Sequence, residues 1–310
     1  MKEERYDLIG DIHGHHDKAT ALLERLGYRP TGNTWKHPEG RKVVFLGDYI
    51  DRGPKIRETL HLVRGMVEAG DALAIMGNHE FNAVVYAMPD GNGGYLRPHT
   101  ELNVAQHAAT LAAFEGREEE WGEWLAWFRH LPIYLDLGGL RAVHAAWDDR
   151  HLDMLAGTPL ADDAFLRIAG TYDTVEFRAV EIMLKGPELH LPEGVIFTDK
   201  EGVARKKVRT RWWGIYEGIT LGEVAMPEPM DLPRPLKARH LKKLPNYAPE
   251  APPVFFGHYW LPADAPKAPL APNVVGLDYS AAKGENPLWA YRWDGEPHGL
   301  PEKFITANRA

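Results

Sequence analysis

The chain has 310 residues, 44% of them hydrophobic, which is enough to form a sizeable core and argues against disorder. It contains no cysteine, so disulfides, thiolate metal ligands and a cysteine nucleophile are excluded, and any metal must be held by nitrogen and oxygen ligands. The net charge of −8 argues against general binding to nucleic acid, because that affinity comes mainly from neutralising phosphates. We see neither a signal peptide nor an apolar run of membrane-spanning length, and we therefore expect a cytoplasmic protein without membrane contact.

Strand and helix patterns alternate over the first 150 residues, which is typical of an α/β layered domain. Short apolar runs that end in glycine predict strands at 6–10, 42–47 and 72–77. Amphipathic patterns predict helices at 15–26, 54–69, 79–88, 100–116 and 119–130. Two further runs, 132–137 and 140–145, predict a hairpin around Gly138 and Gly139.

The pattern changes after residue 150. Residues 195–211 predict a hairpin that turns at 200–202, and 226–272 contains 12 of the 24 prolines, which predicts extended, irregular backbone. Strand patterns return at 254–258, 273–278 and 288–293. We interpret 1–310 as a single domain, with an insertion at about 150–250 that covers its active site.

Three of the predicted strands end in polar motifs: GDIHG (10–14), GDYIDRG (47–53) and GNHE (77–80). Loops at the carboxyl ends of strands are where open α/β sheets build their sites. Asp11 and His13 are two residues apart, so in an extended segment they project to the same side and one metal can bind both. Asp48 can bridge to a second ion, to which Asn78 offers an amide oxygen. Two metal ions together stabilise the attacking and leaving oxygens of an in-line displacement, which is phosphoester chemistry.

The three motifs, in this order, resemble those of the calcineurin-like metallophosphoesterases, in particular the phosphoprotein phosphatase family. The family pattern GDxHG, GDxxDRG, GNHE is met at every fixed letter. The stretches FFGHYW (255–260) and VVGLDYS (274–280) resemble the bacterial branch, which includes serine/threonine phosphatases and symmetrical dinucleoside tetraphosphatases. The resemblance implies a four-layer αββα sandwich of two mixed sheets, here with an inserted hairpin and a proline-rich segment.

The resemblance also implies the metal ligands. The first ion would be held by Asp11, His13 and Asp48, and the second by Asp48, Asn78, His144 and His258. Trp260 stands where nuclease-like relatives place a second histidine, which favours the phosphoprotein phosphatase branch. Carboxylate, imidazole and amide ligands suit Mn²⁺, the ion we expect, with Fe, Zn²⁺, Ni²⁺ or Co²⁺ as alternatives.

The same resemblance implies a mechanism in which a metal-bridging hydroxide attacks phosphorus. His79 would protonate the leaving oxygen, Asp51 would orient His79, and Arg52 would grip the phosphoryl oxygens. None of these three residues is missing, which argues against a catalytically dead binding module, the alternative class of function.

A basic stretch is the remaining candidate for substrate binding. Arg205, Lys207, Arg209 and Arg211 alternate, so in one strand all four would face the same way. They would form either a cationic wall beside the site or a charged strand edge that prevents edge-to-edge pairing. The family uses a second phosphate-binding arginine in this part of the chain, and Arg209 and Arg211 are the candidates for it.

The motif set favours a phosphomonoesterase of the serine/threonine protein phosphatase type. A symmetrical bis(5'-nucleosyl)-tetraphosphatase and a phosphatase acting on nucleic-acid ends are the alternatives. The expected partner is therefore a phosphorylated substrate, either a phosphoprotein or a small phosphoester.

Overall fold

The computed structural model describes residues 4–198 and 204–307. Its strands are β1 (Tyr6–Ile9), β2 (Arg29–Thr31), β3 (Thr34–Lys36), β4 (Lys42–Phe45), β5 (Ala72–Ala74), β6 (Tyr134–Asp136), β7 (Arg141–Val143), β8 (Glu188–His190), β9 (Phe197–Thr198), β10 (Ala204–Arg205), β11 (Lys207–Arg209), β12 (Val254–Phe256), β13 (Val274–Gly276), β14 (Trp289–Trp293) and β15 (Phe304–Thr306). Its helices are α1 (His16–Leu26), α2 (Ile56–Glu68), α3 (Asn78–Ala87), α4 (Glu101–Ala113), α5 (Glu118–Arg129), α6 (Leu152–Leu155), α7 (Asp163–Ala169), α8 (Val175–Lys185), α9 (Leu221–Val224) and α10 (Ala238–Leu241).

Two mixed sheets form the centre of the molecule. The first has the strand order β15-β14-β1-β4-β5, in which β1, β4 and β5 are parallel and β14 and β15 are antiparallel. The second has the order β13-β12-β7-β6, with β12 parallel to both β13 and β7. The predicted α/β class with mixed sheets is thereby confirmed.

The central strands are buried on both faces, which explains why they are continuous apolar runs. Leu8 and Val44 of the first sheet share one hydrophobic cluster with Phe255 and Val275 of the second, so these faces of the two sheets meet. Ile9, like other residues on the opposite face, packs with the helices in a larger cluster. The core therefore lies between the sheets and beneath the helices.

The helices follow the predicted apolar spacing. In α1 the buried residues are Ala19, Leu22, Leu23 and Leu26, and the helix ends at Gly27, whose φ of 100° is left-handed. The predicted helices α1 to α5 all form, with ends that differ from the prediction by at most a few residues. Across the described residues every helix is too short or too polar to span a bilayer.

The region 150–250 has two parts. Helices α7 and α8, which the sequence analysis did not predict, bury Leu166, Val180 and Leu184 in the larger core cluster. The later part has a separate small cluster that includes Leu189, Val208 and Ile219. Hydrophobic contacts thus join the first part to the main core, and the interpretation of the whole region as one insertion stays a prediction.

The predicted hairpin at 195–211 is more complex than expected. Strand β9 pairs with β10 in antiparallel orientation, whereas β11 pairs with β8. The predicted turn at 200–202 lies outside the described residues. Because β10 and β11 have different partners, the basic residues do not lie on one continuous strand.

Candidate metal centre and active site

The polar motifs lie at one edge of the molecule because of the sheet topology. Strands β1, β4 and β5 are parallel neighbours, so the three loops that follow them start from the same sheet edge. In the second sheet β7 and β12 are also parallel neighbours, and they are followed by His144 and His258. All residues predicted as metal ligands are more than nine-tenths buried.

The loops of the site contain unusual backbone conformations. The residues with left-handed φ include His13, Asp48, Asp51, Arg52 and His258, with φ between 46° and 66°. Such conformations cost free energy in residues other than glycine and concentrate at functional sites. The motif glycines permit close contacts, since a Cβ on Gly257 would lie 1.9 Å from Asp11 Oδ1 and one on Gly77 would lie 2.2 Å from the Asp48 nitrogen.

Glu80 connects the second and third motif loops. Its Oε2 accepts hydrogen bonds from the backbone N–H groups of Gly77 (3.0 Å) and Asp48 (2.9 Å), and its Oε1 accepts one from that of Tyr49 (2.8 Å). Burial raises the pKa of Glu80 to about 7, and the nearby Asp48 charge acts in the same direction. The last letter of the GNHE motif therefore has a structural role that the sequence analysis did not identify.

Asp48 lies at the centre of the site. Its Oδ2 is 3.5 Å from His13 Nε2, and its Oδ1 is 3.4 Å from His144 Nε2. Among the described residues, two groups of side chains could hold a metal ion, and both include Asp48. His13, Asp48 and His79 form one group, and Asp48, His144 and His258 form the other. Within each group the potential ligand atoms lie within 4.8 Å of one another.

The histidines of the site are oriented as metal ligands usually are. His13 donates through Nδ1 to the Ile50 carbonyl (2.9 Å) and His144 through Nδ1 to the Leu46 carbonyl (2.7 Å), so Nε2 of each ring faces the site. In the described residues, the buried Nε2 atoms of His13 and His258 have no hydrogen-bond partner. Buried polar atoms without a partner are rare, and here they fit a bound cation.

The charges of the site also favour a cation. Burial lowers the pKa of His13 to about 3 and that of His258 well below its ordinary value, so both rings are neutral and able to coordinate. Burial would also lower the pKa of His144, but the Asp48 carboxylate outweighs it and raises that pKa to about 10. Positive charge next to Asp48 is thus stabilised.

Asp11 lies on the other side of the site, against the loop after β12. Its Oδ2 accepts a hydrogen bond from the His258 backbone N–H at 3.0 Å. Burial, and then the nearby charge of Asp278, raises the pKa of Asp11. Asp278 was missed by the sequence analysis, although it ends a predicted strand as the motif residues do. Its oxygens accept from the backbone N–H groups of Trp260 (2.7 Å) and Ser280 (2.9 Å) and so fix the loop beside His258.

Asn78 lies beside the second group, where its Oδ1 is 3.0 Å from His144 Nε2, and its expected role as a ligand stays a prediction. Asp11 is not part of either three-residue group, and His79 takes that place beside His13 and Asp48. The expected role of Asp11 as a ligand is therefore still a prediction.

The residues predicted for proton transfer are in contact. His79 Nδ1 is 2.5 Å from Asp51 Oδ2, while Asp51 Oδ1 accepts from His107 Nδ1 (2.9 Å) and Thr110 Oγ1 (2.5 Å). Burial acts to raise the pKa of Asp51, but the hydrogen bonds from His107 and His79 outweigh it and lower that pKa. Burial acts to lower the pKa of His79, but the charges of Asp48 and Asp51 outweigh it and raise that pKa.

Arg52 lies at the surface of the site, where its guanidinium carbon is 4.4 Å from the centre of the Trp260 ring. It lines a cleft of about 610 Å³ that also contains Asp48, Asn78 and His79. The cleft's further basic residues are Arg97, Arg205, Lys207, Arg209 and Lys283. Arg211 is not among the lining residues, and its Nη2 lies 3.4 Å from the Gly214 carbonyl oxygen.

Arg209 is the member of the predicted pair that lies near the site. After burial, its charge is the largest cause that lowers the pKa of His258. Apolar side chains, including Phe197, Met226 and Met230, line the cleft beside these cations.

The fold and the site together define a metallophosphoesterase, a phosphoric ester hydrolase with a divalent metal site of histidine and aspartate. The chain belongs to the calcineurin-like phosphoesterase family, whose model matches residues 5–190, more than half of the 310 residues.

Among curated proteins, the chain is similar to bis(5'-nucleosyl)-tetraphosphatase PrpE (asymmetrical). The identity is 47% over 74 residues with the Bacillus subtilis protein, covering 24% of this chain and 30% of that one. It is 45% over 142 residues with the Bacillus velezensis protein, covering 45% of this chain and 55% of that one. The chain thus spans about a third to a half of the length of these relatives. Among solved structures, it is similar to a cold-active protein-tyrosine phosphatase of a psychrophile, Shewanella sp., with a TM-score of 0.49, 16% identity and coverage of 96% of this chain and 80% of that one.

Proposed function

We propose that this protein binds two divalent metal ions on either side of Asp48 and hydrolyses dinucleoside polyphosphates. The observation that carries the metal assignment is that Asp48 belongs to two separate groups of potential ligands. Each group contains a buried histidine Nε2 without a hydrogen-bond partner in the described residues, in His13 for one and His258 for the other. Sharing one carboxylate is the arrangement that brings two ions close enough to act on one phosphoryl group.

When bound, the ions would activate water and neutralise charge that develops on the phosphoryl oxygens. The protein's own residues supply the rest. Arg52, with its planar fork of donors, would bind the phosphoryl group, and Trp260 would hold the guanidinium in place. His79 would give the proton on Nε2 to the leaving oxygen as the bond from phosphorus to that oxygen breaks. Asp51 would keep the His79 ring cationic and oriented with its Nε2 towards the leaving oxygen.

The finer fold assignment is also a proposal. The hydrophobic cluster shared by the two sheets, together with helices packed on their other faces, supports the four-layer αββα sandwich. The oxygen and imidazole ligands support Mn²⁺ as the native ion, since such ligands do not select a soft metal.

The choice of substrate class depends on the cleft and on the relatives. Cations from Arg52, Arg97, Lys207 and Arg209 surround the cleft, which suits a ligand with several linked phosphoryl groups. Its apolar side chains would suit a nucleobase. The names of the curated relatives point to asymmetrical cleavage, which we favour over symmetrical cleavage, one of the alternatives from the sequence. A phosphoserine substrate, the first expectation, serves as the competing hypothesis.

The test is a substrate panel run on metal-loaded protein at a fixed Mn²⁺ concentration. We expect the highest kcat/KM for diadenosine tetraphosphate, with AMP and ATP as products. Two molecules of ADP would instead establish symmetrical cleavage. A higher kcat/KM for a phosphoserine peptide would overturn the proposed substrate class but leave the metal assignment intact. Loss of all activity on chelation, with recovery on addition of Mn²⁺, checks the metal assignment separately.

A further inference from the structure

Arg97 occupies a position in the cleft that no sequence motif marks. It lies in the segment between α3 and α4, where its backbone N–H donates to the Val85 carbonyl at 3.0 Å. Its Nη1 donates to Asn82 Oδ1 (3.2 Å) and its Nη2 to Gln106 Oε1 (3.1 Å). The half-buried side chain is therefore held by two different helices, and it lines the same cleft as the proposed metal site.

The residues that hold Arg97 are themselves neighbours of the catalytic groups. Asn82 follows Asn78 by four residues on α3, so the two lie on the same face about 6 Å apart along the helix axis. Gln106 directly precedes His107, which is bonded to Asp51. The two residues that hold the guanidinium are thus one helical turn from Asn78 and one residue from His107, respectively.

The charge of Arg97 is not neutralised by the groups that hold it. Both are amide oxygens, and no carboxylate in the described residues forms an ion pair with its guanidinium. Burial lowers the pKa of Arg97, while the more distant charges of Glu181 and Asp51 favour its cationic form. A half-buried cation of this kind is costly unless an anion compensates it, and a guanidinium retains donors for one.

We propose that Arg97 binds the phosphoryl group adjacent to the one that is attacked. This inference rests on the proposed function, because it requires a substrate with at least two linked phosphoryl groups. Arg52 then holds the reacting phosphoryl group and Arg97 the next one along the chain. A phosphomonoester such as phosphoserine has no group to place there, so Arg97 favours polyphosphates over phosphoproteins.

The test compares inhibitors of aryl phosphate hydrolysis, at a fixed concentration of free Mn²⁺. Orthophosphate has one phosphoryl group, and imidodiphosphate has two that are joined by a nitrogen bridge. We expect Arg97→Gln to weaken inhibition by imidodiphosphate about 10- to 100-fold, since a charge-assisted hydrogen bond is lost. The inhibition constant of orthophosphate and kcat/KM for the aryl phosphate should stay within about twofold. Arg25→Gln, which removes the same charge from an exposed position on α1, is the matched control. It should change the inhibition constant of neither orthophosphate nor imidodiphosphate.

Arg97→Lys separates binding from a structural role. A lysine keeps the charge but cannot bridge Asn82 and Gln106, so a binding role predicts partial recovery of imidodiphosphate inhibition. If imidodiphosphate inhibits the lysine variant as weakly as the glutamine variant, and both variants also have a lower Tm, Arg97 has only the structural role of joining the two helices. The inference is then overturned. Equal weakening of both inhibitors would also overturn it, because Arg97 would then contact the reacting phosphoryl group. These inhibitor results do not require activity on diadenosine tetraphosphate, so they can fail or succeed independently of the proposed function.

Discussion

His79 and Asp51 are joined by a 2.5 Å contact between Nδ1 and Oδ2, which leaves Nε2 of His79 as the atom that faces Asp48. The distance from that Nε2 to Asp48 Oδ2 is 3.9 Å. His79 is therefore close enough to the metal site to be either a ligand or a proton donor. The family resemblance implies the second role, and the two roles have different consequences.

Replacing His79 with Asn should separate these roles. We expect kcat to fall by about 10²–10⁴-fold while metal content stays that of the wild type, because a general acid is lost and a ligand is not. The loss should be smaller for aryl phosphates whose phenols leave without protonation. Metal analysis and a series of leaving groups provide the measurements. Loss of one ion per chain would instead make His79 a ligand, as its position beside His13 and Asp48 allows.

Replacing Asp48 with Asn should have the largest effect on metal binding. This carboxylate belongs to both groups of potential ligands, so the change removes negative charge from both at once. We expect less than one ion per chain by elemental analysis, against two in the wild type, together with loss of activity. Asp153→Asn, at an exposed position on α6, is the control. One tightly bound ion in fully active wild-type protein would contradict the shared role of Asp48.

The part of the site that could be predicted from sequence is the part encoded locally. Asp11, Asp48 and Asn78 directly follow apolar runs, and parallel neighbouring strands bring such positions to one edge. Asp278 lies in the same kind of position, at the end of the predicted strand 273–278. Strands β2 and β15 were missed because they are short, and β2 is exposed along its whole length, so neither produces a clear alternation.

The remaining site residues could not be predicted, because their roles depend on tertiary packing. His107 and Thr110 belong to α4 and reach Asp51 only because that helix packs beside the second motif loop. Arg97 is likewise placed by hydrogen bonds to two helices. By contrast, Arg209 and Arg211 are equivalent in the alternating pattern. Strand β11 ends at Arg209, whereas Arg211 lies beyond it and its backbone N–H donates to the Val224 carbonyl at 2.8 Å, so the two side chains have different surroundings.

Replacing Trp260 with Leu should weaken phosphate binding without affecting the metals. The indole ring lies under the Arg52 guanidinium at 4.4 Å, so its removal takes away one contact that holds that side chain. Loss of a cation–π contact of this kind should increase the inhibition constant of orthophosphate about 2- to 30-fold. Trp260→Phe keeps an aromatic face, so the inhibition constant of orthophosphate should rise less in this variant than in Trp260→Leu. If Leu and Phe have the same effect, the ring does not act by holding Arg52.

Stability at high pH should depend on Tyr247, which is 3% exposed and whose hydroxyl donates to the Pro252 carbonyl at 2.6 Å. Burial raises its pKa from 10.0 to about 12, although Arg141 acts in the opposite direction. A raised pKa means that the folded state favours the protonated phenol. The contribution of the protonated Tyr247 phenol to the free energy of unfolding is therefore complete below pH 10 and is lost between about pH 10 and 12. We expect the free energy of unfolding of Tyr247→Phe to fall less steeply than that of the wild type over this interval. Tyr172→Phe, at a residue that is 80% exposed, should follow the wild type.

Arg209 and Arg211 provide a matched pair of variants that tests whether the basic residues lining the cleft bind substrate. Arg209 lines the cleft and its charge acts on His258, whereas Arg211 is not among the lining residues. We expect Arg209→Ala to raise KM for diadenosine tetraphosphate about tenfold, because a charge-assisted contact is lost, and Arg211→Ala to change it less than about twofold. The aryl phosphate should respond less than diadenosine tetraphosphate in both variants, since its single phosphoryl group is held elsewhere. Equal effects of the two substitutions would mean that only the total positive charge of this segment affects KM. The position of Arg209 in the cleft would then have no specific role in substrate binding.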